Sequence, residues 1–251
     1  MRTAGRAVRP LTHARTPTDD GRVLAVAHRA GNDLIALRDA LARDADVVEA
    51  DVHSHRGRLE VRHHKALGHL PWRWDRRAGT GRVPLLRDSW ELQPASAFPL
   101  RLPALLDAAR SGTTLMLDLK GVGDVGPAAV RLLHERVPEA PVIVCGRWWP
   151  SVDAFAGAPW ALPVLSARGS TELARLRRRL RRGPVPYGVS VHRSLLAPEV
   201  VHELRARVRL VMTWPVNDDG ALEDVLGRGV NGVITDSGDV LDAVVGLRAT
   251  P

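Results

Sequence analysis

Eight short runs of aliphatic and β-branched residues recur along the chain, most of them followed by a stretch with helical periodicity. Few folds accept that alternation. The runs are Val23–His28, Asp46–Val52, Thr114–Lys120, Val142–Cys145, Leu162–Ser166, Tyr187–Val191, Arg209–Trp214 and Gly232–Thr235. Helical patterns fall at about 32–44, 103–111, 126–137, 170–182, 197–207 and 219–228, with a weaker one near 151–157 and a last at 238–247. Strands separated by helices pair in parallel, and eight of them close a barrel. The length, 251 residues, suits one such barrel. The expected fold is therefore α/β: a single (β/α)8 TIM-type barrel over residues 22–251, with a flexible N-terminal tail over residues 1–21.

One connection breaks the pattern. After the second strand comes a hairpin-like extension, Gly57–His64, and then a long irregular loop to about residue 101. It carries Trp72, Trp74 and Trp90 together with Pro71, Pro84, Pro94 and Pro99. Long connections in compact domains are usually functional or disordered, and the tryptophans predict an ordered loop packed over one end of the barrel.

Composition bounds the rest. The single cysteine, Cys145, excludes an intrachain disulfide; it follows an apolar run and reads as a buried thiol. No apolar stretch reaches the roughly 20 residues that span a bilayer, and residues 1–21 lack the apolar core of a secretory signal, so the expected location is the cytoplasm. The net charge of +8 favours an anionic partner without saying which. Six arginines, Arg175, Arg177, Arg178, Arg179, Arg181 and Arg182, crowd one helix. Such a run is usually a solvated face; peripheral contact with an acidic membrane is the functional alternative, and no nucleic acid or obligate protein partner is expected.

Alternate side chains of a strand face the same way. Glu49 and Asp51 therefore share a face at the C-terminal end of the second strand, as do Asp118 and Lys120 on the third, while His28 ends the first. Active sites of such barrels sit at that end. A lone acid there is more often a helix cap or salt-bridge partner, but three inward carboxylates on neighbouring strands repel one another and call for a cation. Oxygen ligands suit Mg²⁺ or Ca²⁺. Of the clustered histidines, His63 shares the face of Leu59 and Val61 and points toward the mouth, whereas His53, His55 and His69 read as incidental and the first two as lying in an exposed turn. Trp214, on the face of Met212, either lines a wall for glycerol or an alkyl chain or is a core aromatic.

His28-Arg29-Ala30-Gly31, Glu49-Ala50-Asp51-Val52 and Val61-Arg62-His63-His64-Lys65-Ala66-Leu67 resemble, in order and spacing, the glycerophosphodiester phosphodiesterase family. Leu117-Asp118-Leu119-Lys120 looks like that family's Glu-x-Lys strand, Thr213-Trp214-Pro215-Val216-Asn217 like its Trp-Thr-Val-Asn strand, and Asn231-Gly232-Val233-Ile234-Thr235-Asp236 like its closing Asp-Gly-Ile-x-Thr-Asp. The resemblance runs from residue 23 to about 241. It implies a divalent metal on Glu49, Asp51 and Asp118, an acid–base pair in His28 and His63, and phosphate contacts from Arg29 and Lys120. It also implies hydrolysis of glycerophosphodiesters or related lysophospholipids, a place in lipid metabolism. The chain departs from the family at Ala30, in a shortened first loop, at His64 where an Asp is usual, and at Asp118 where the ligand is Glu. Those departures leave a second expectation open, a catalytically impaired barrel that binds phosphorylated ligands without turnover.

Overall fold

The computed structural model describes residues 22–63, 65–66, 72–76, 90–94, 99–109, 112–136, 138 and 140–249; for 65–66, 72–76, 90–94 and 249 it describes the backbone alone. Eight parallel strands form the frame: β1 Leu24–Ala27, β2 Val47–His55, β3 Thr114–Lys120, β4 Val142–Gly146, β5 Ala161–Ala167, β6 Gly188–His192, β7 Leu210–Trp214 and β8 Gly232–Thr235. They follow one another in order, and β1 pairs with both β2 and β8, which closes the barrel. Each expected strand and helix has its counterpart, with ends shifted by a few residues.

Side-chain alternation sorts the apolar residues into two cores. One parity of the strands, including Leu24, Val26, Val47, Met116, Ile143, Cys145, Val164, Met212 and Ile234, fills the barrel interior. The other, including Ala25, Val48, Ala50, Leu117, Val144 and Val189, packs outward against helix residues such as Leu37, Leu133, Leu176, Val225 and Val244. A parallel sheet buried on both faces must read as nearly continuous hydrophobic sequence, which is why the strand runs stood out. Cys145 is buried, and burial pushes its thiol well above the ordinary range. No helix among the described residues is long and apolar enough to cross a membrane.

Two expectations around the second strand need correction. β2 continues to His55, because the hairpin strand Arg58–Val61 pairs antiparallel with it, matching Val52 with Val61 and His55 with Arg58. His53 and His55 thus lie in strand, half-buried, and not in an exposed turn. The loop to residue 101 is only partly irregular: Lys65–Ala66, Trp72–Arg76 and Trp90–Pro94 form a small antiparallel sheet, and Leu100–Arg101 pairs with the hairpin. Alternating bulky and polar residues in Trp72–Arg76 supply the period that a strand needs. The side chains of Trp72, Trp74 and Trp90, residues 1–21, His64 and His69 lie outside what is described.

Candidate active site

The turn after β1 builds the first wall. Arg29 takes a left-handed conformation, φ 57°, and Ala30–Asn32 form one 3₁₀ turn lying against β2. The approach is so close that a Cβ on Gly31 would stand 2.7 Å from the Ala50 Cβ, so only glycine fits there. This turn aims two groups at β2. The Arg29 N–H donates to Glu49 Oε2 at 2.6 Å, and the Asn32 amide donates to Asp51 Oδ2 at 2.8 Å while its carbonyl accepts the Asp51 N–H.

β2 and β3 pair in register, Asp51 opposite Asp118 and His53 opposite Lys120. That brings Glu49, Asp51 and Asp118 together, one carboxylate oxygen from each within 4.8 Å of the others. Lys120 spans two of them, its Nζ 2.6 Å from Asp51 Oδ1 and ion-paired with Asp118. Burial works against the ammonium, but Asp118, Asp51 and Glu49 hold it charged far above its usual range. Burial would likewise protonate Asp51, yet Lys120 and His63 keep its pKa well below the ordinary value. On Glu49 the charges of His28 and Lys120 act in the same sense but are outweighed. Burial, and then the charge of Asp51, push its pKa up to about 7.

A divalent cation fits this donor set. Among the described residues Glu49 Oε1 is buried without a hydrogen-bond partner, an expensive orphan that a metal would satisfy. With all three ionised, the carboxylates facing one lysine leave two negative charges, matching a divalent ion, and oxygen donors of this kind suit Mg²⁺ or Ca²⁺.

Two histidines border the cluster. His28 Nδ1 lies 2.8 Å from Asp236 Oδ1 just beyond β8, and its Nε2 lies 4.0 Å from Glu49 Oε2. Burial lowers the affinity of His28 for a proton, but Asp236 and Glu49 outweigh it and the pKa is raised. His63 follows the hairpin strand, which is anchored by the Arg62 N–H donating to the Asp51 carbonyl at 3.0 Å. Its Nδ1 sits 3.0 Å from Asp51 Oδ2. An ionised carboxylate can only accept, so each ring carries a proton on Nδ1 and turns Nε2 outward from its partner.

Six of the eight residues singled out from sequence thus converge through direct contacts: His28, His63, Glu49, Asp51, Asp118 and Lys120. Arg29 joins them through its backbone, while its buried guanidinium Nε has no hydrogen-bond partner among the described residues. Trp214 stands apart at the end of β7, edge-on to His192 at 5.1 Å. Sequence reasoning missed Asn32 and Asp236 as orienting groups, and Asn217, whose carbonyl accepts the Asp236 N–H at 2.9 Å. Asp236 and Asn217 stood inside the motifs already quoted; nothing local marked Asn32. His53, read from the sequence as incidental, continues the face of Glu49 and Asp51; burial, then Arg62, lower its pKa to about 3 and keep it neutral.

No protein-family model matches the chain, and no curated protein sequence matches it. Solved structures do. A candidate glycerophosphoryl diester phosphodiesterase from Silicibacter pomeroyi aligns with a TM-score of 0.69 at 17% identity, over 90% of this chain and 94% of that one. A glycerophosphodiester phosphodiesterase from Thermotoga maritima aligns at 0.64 and 19% identity, covering 90% and 98%. A phosphodiesterase from Oleispira antarctica, solved with the product sn-glycerol-3-phosphate, aligns at 0.65 and 18% identity, again covering 90% and 98%. At such identities the likeness establishes the fold: this chain is the same closed eight-stranded barrel as those proteins.

Proposed function

We propose that the chain is a metal-dependent phosphoric diester hydrolase that cleaves glycerophosphodiesters, or related lysophospholipids, to an alcohol and a phosphomonoester. One observation carries this reading: two imidazoles, each oriented through Nδ1 by a carboxylate, border a three-carboxylate cluster at the mouth of the barrel. The shared fold with phosphodiesterases, one of them holding sn-glycerol-3-phosphate, supports it.

A phosphodiester is anionic and its leaving alkoxide strongly basic, so hydrolysis needs charge neutralisation and a proton for the departing oxygen. Glu49, Asp51 and Asp118 would hold the metal, which when bound supplies positive charge for the phosphoryl oxygens. Lys120, which borders the cluster, and Arg29, whose charge acts on His28 and Asp236, would bind those oxygens. One of His28 and His63 takes a proton from the nucleophile, water or a neighbouring substrate hydroxyl, and the other gives one to the leaving alcohol. Asp236 and Asp51 keep both rings in the tautomer that this exchange requires.

A second reading, a barrel that binds phosphorylated ligands without turnover, is favoured by the Lys120 ammonium itself. It already bridges Asp51 and Asp118 and acts as a built-in cation. A screen of glycerophosphodiesters and lysophospholipids with Mg²⁺, Ca²⁺ and EDTA separates the two. Turnover that EDTA removes supports the hydrolase; calorimetric binding of phosphorylated ligands with no turnover in either metal supports the second.

A cytoplasmic role in lipid metabolism accords with this substrate class. Peripheral contact with anionic membrane would fall to Arg178 and Arg182. On the same helix, Ser170–Arg182, Arg177 and Arg181 face Glu203, Arg179 pairs with Asp153, and Arg175 lies 5.3 Å over Trp149.

A further inference from the structure

The inward positions at the C-terminal strand ends divide the mouth by charge. On β2 and β3 they carry the carboxylate cluster. On β5, β6 and β7 the same parity continues to Arg168, His192 and Trp214, following buried Ser166, Ser190 and Met212. The strands align these ends: Ala167 pairs with Val191, and His192 with Trp214.

The chemistry of this arc is specific. The His192 ring stands perpendicular to Trp214, and its Nδ1 accepts the Ser194 N–H, with the Ser194 hydroxyl 2.8 Å away. Burial, then the charges of Arg168 and Arg193, lower its pKa, so the ring is neutral and its remaining proton is on Nε2, a donor. The neighbouring Arg147 is neutralised by Glu172, which receives both its Nε and Nη2. Arg168 gives Glu172 only its backbone N–H, and Arg193 offers Arg228 only its carbonyl. Among the described residues, neither guanidinium has an acidic partner. Two uncompensated cations, both close enough for their charge to act on His192, thus accompany an imidazole donor and an aromatic wall on the side of the mouth away from the acids.

Resting on the phosphodiesterase reading, we propose that Arg168, Arg193, His192 and Trp214 form the subsite for the leaving alcohol, and that it selects alcohols bearing a further negative charge, a carboxylate or second phosphate, over quaternary ammonium alcohols. A trimethylammonium group could stack on Trp214 only in the field of two arginines, whereas an anion would gain both.

The test compares kcat/KM for three diesters of one glycerol phosphate: with choline, with glycerol, and with an inositol phosphate. Wild type should rank the inositol phosphate diester first and choline last. Arg168→Gln and Arg193→Gln should each lower the anionic-to-choline ratio about 5-fold, the upper worth of an exposed charge contact. The double variant should lower it more than about tenfold, mainly through KM, while Arg131→Gln on an outer helix should leave the ratio alone. A preference for choline, or a ratio that the double variant does not move, overturns the subsite. Absence of turnover for all three substrates would instead overturn the hydrolase reading. Calorimetric affinities for the same three compounds then report the charge preference without chemistry.

Discussion

His28 Nδ1 and Asp236 Oδ1 are 2.8 Å apart although 208 residues separate them in the chain. The contact exists because β1 pairs with β8, matching Ala27 with Thr235, so that the residues just beyond each strand end meet at the mouth. Asp236 transfers no proton to or from the substrate in the proposed chemistry; it positions the His28 imidazole. Asp236→Asn should therefore slow turnover about 10–100-fold, the usual effect of losing an orienting partner, with KM little changed. The ¹⁵N shifts of His28 should report a mixed tautomer. An unchanged rate would show that Asp236 does not orient a working histidine.

The hairpin arm makes a sharper prediction. His63 reaches Asp51, and removal of a positioned acid or base typically costs 10²–10⁴-fold, so His63→Ala should cost about that much. His64→Ala should cost far less, because alternation read from the sequence predicts it on the face opposite Leu59, Val61 and His63. If the His64 variant were the inactive one, every inward assignment in the arm would flip with the register.

Removing a carboxylate from the cluster should separate activity from folding. Glu49→Ala, Asp51→Ala and Asp118→Ala should each abolish turnover while the barrel remains folded. Mg²⁺ or Ca²⁺ at 100 times its dissociation constant should stabilise wild type by about 2.7 kcal/mol, and the variants much less. Full activity in excess EDTA would refute the metal assignment.

On the arginine-rich helix, Arg178→Gln and Arg182→Gln should leave hydrolysis of a soluble diester unchanged. If the helix docks on anionic lipid, each should weaken binding to phosphatidylserine vesicles by about 1 kcal/mol. Absence of vesicle binding by the native protein would retire that contact.

Glu172 links pH to stability. Burial alone would raise its pKa, but Arg147 and the N–H groups of Arg168 and Gly169 at a helix start lower it. A carboxylate lowered on folding stabilises the protein above its unfolded value, 4.5, and that contribution disappears as pH falls through the folded value. Glu172→Gln should thus lower Tm at pH 7 by the equivalent of about 0.5 kcal/mol, discounted for exposure, and have little effect near pH 3. An equal loss at both pH values would assign the effect to packing instead.

The amino-acid sequence by itself determined the barrel and the carboxylate cluster. Eight aliphatic runs separated by helical patterns leave one closed parallel architecture, and the period of two along a strand sends Glu49 and Asp51 to one face of β2 and Asp118 and Lys120 to the matching face of β3. Both signals are local and survive in a string of letters. The tertiary structure decided what each of those groups touches. Asn32 on Asp51, His63 on Asp51, Asp236 on His28 and Trp214 on His192 depend on which strand ends become neighbours and how closely a turn can approach β2. Hydrogen bonds and charge compensation act over a few ångströms of space, whereas sequence patterns report only a few residues of chain. Division of the mouth into an acidic half and a basic half therefore becomes visible only once the barrel has closed.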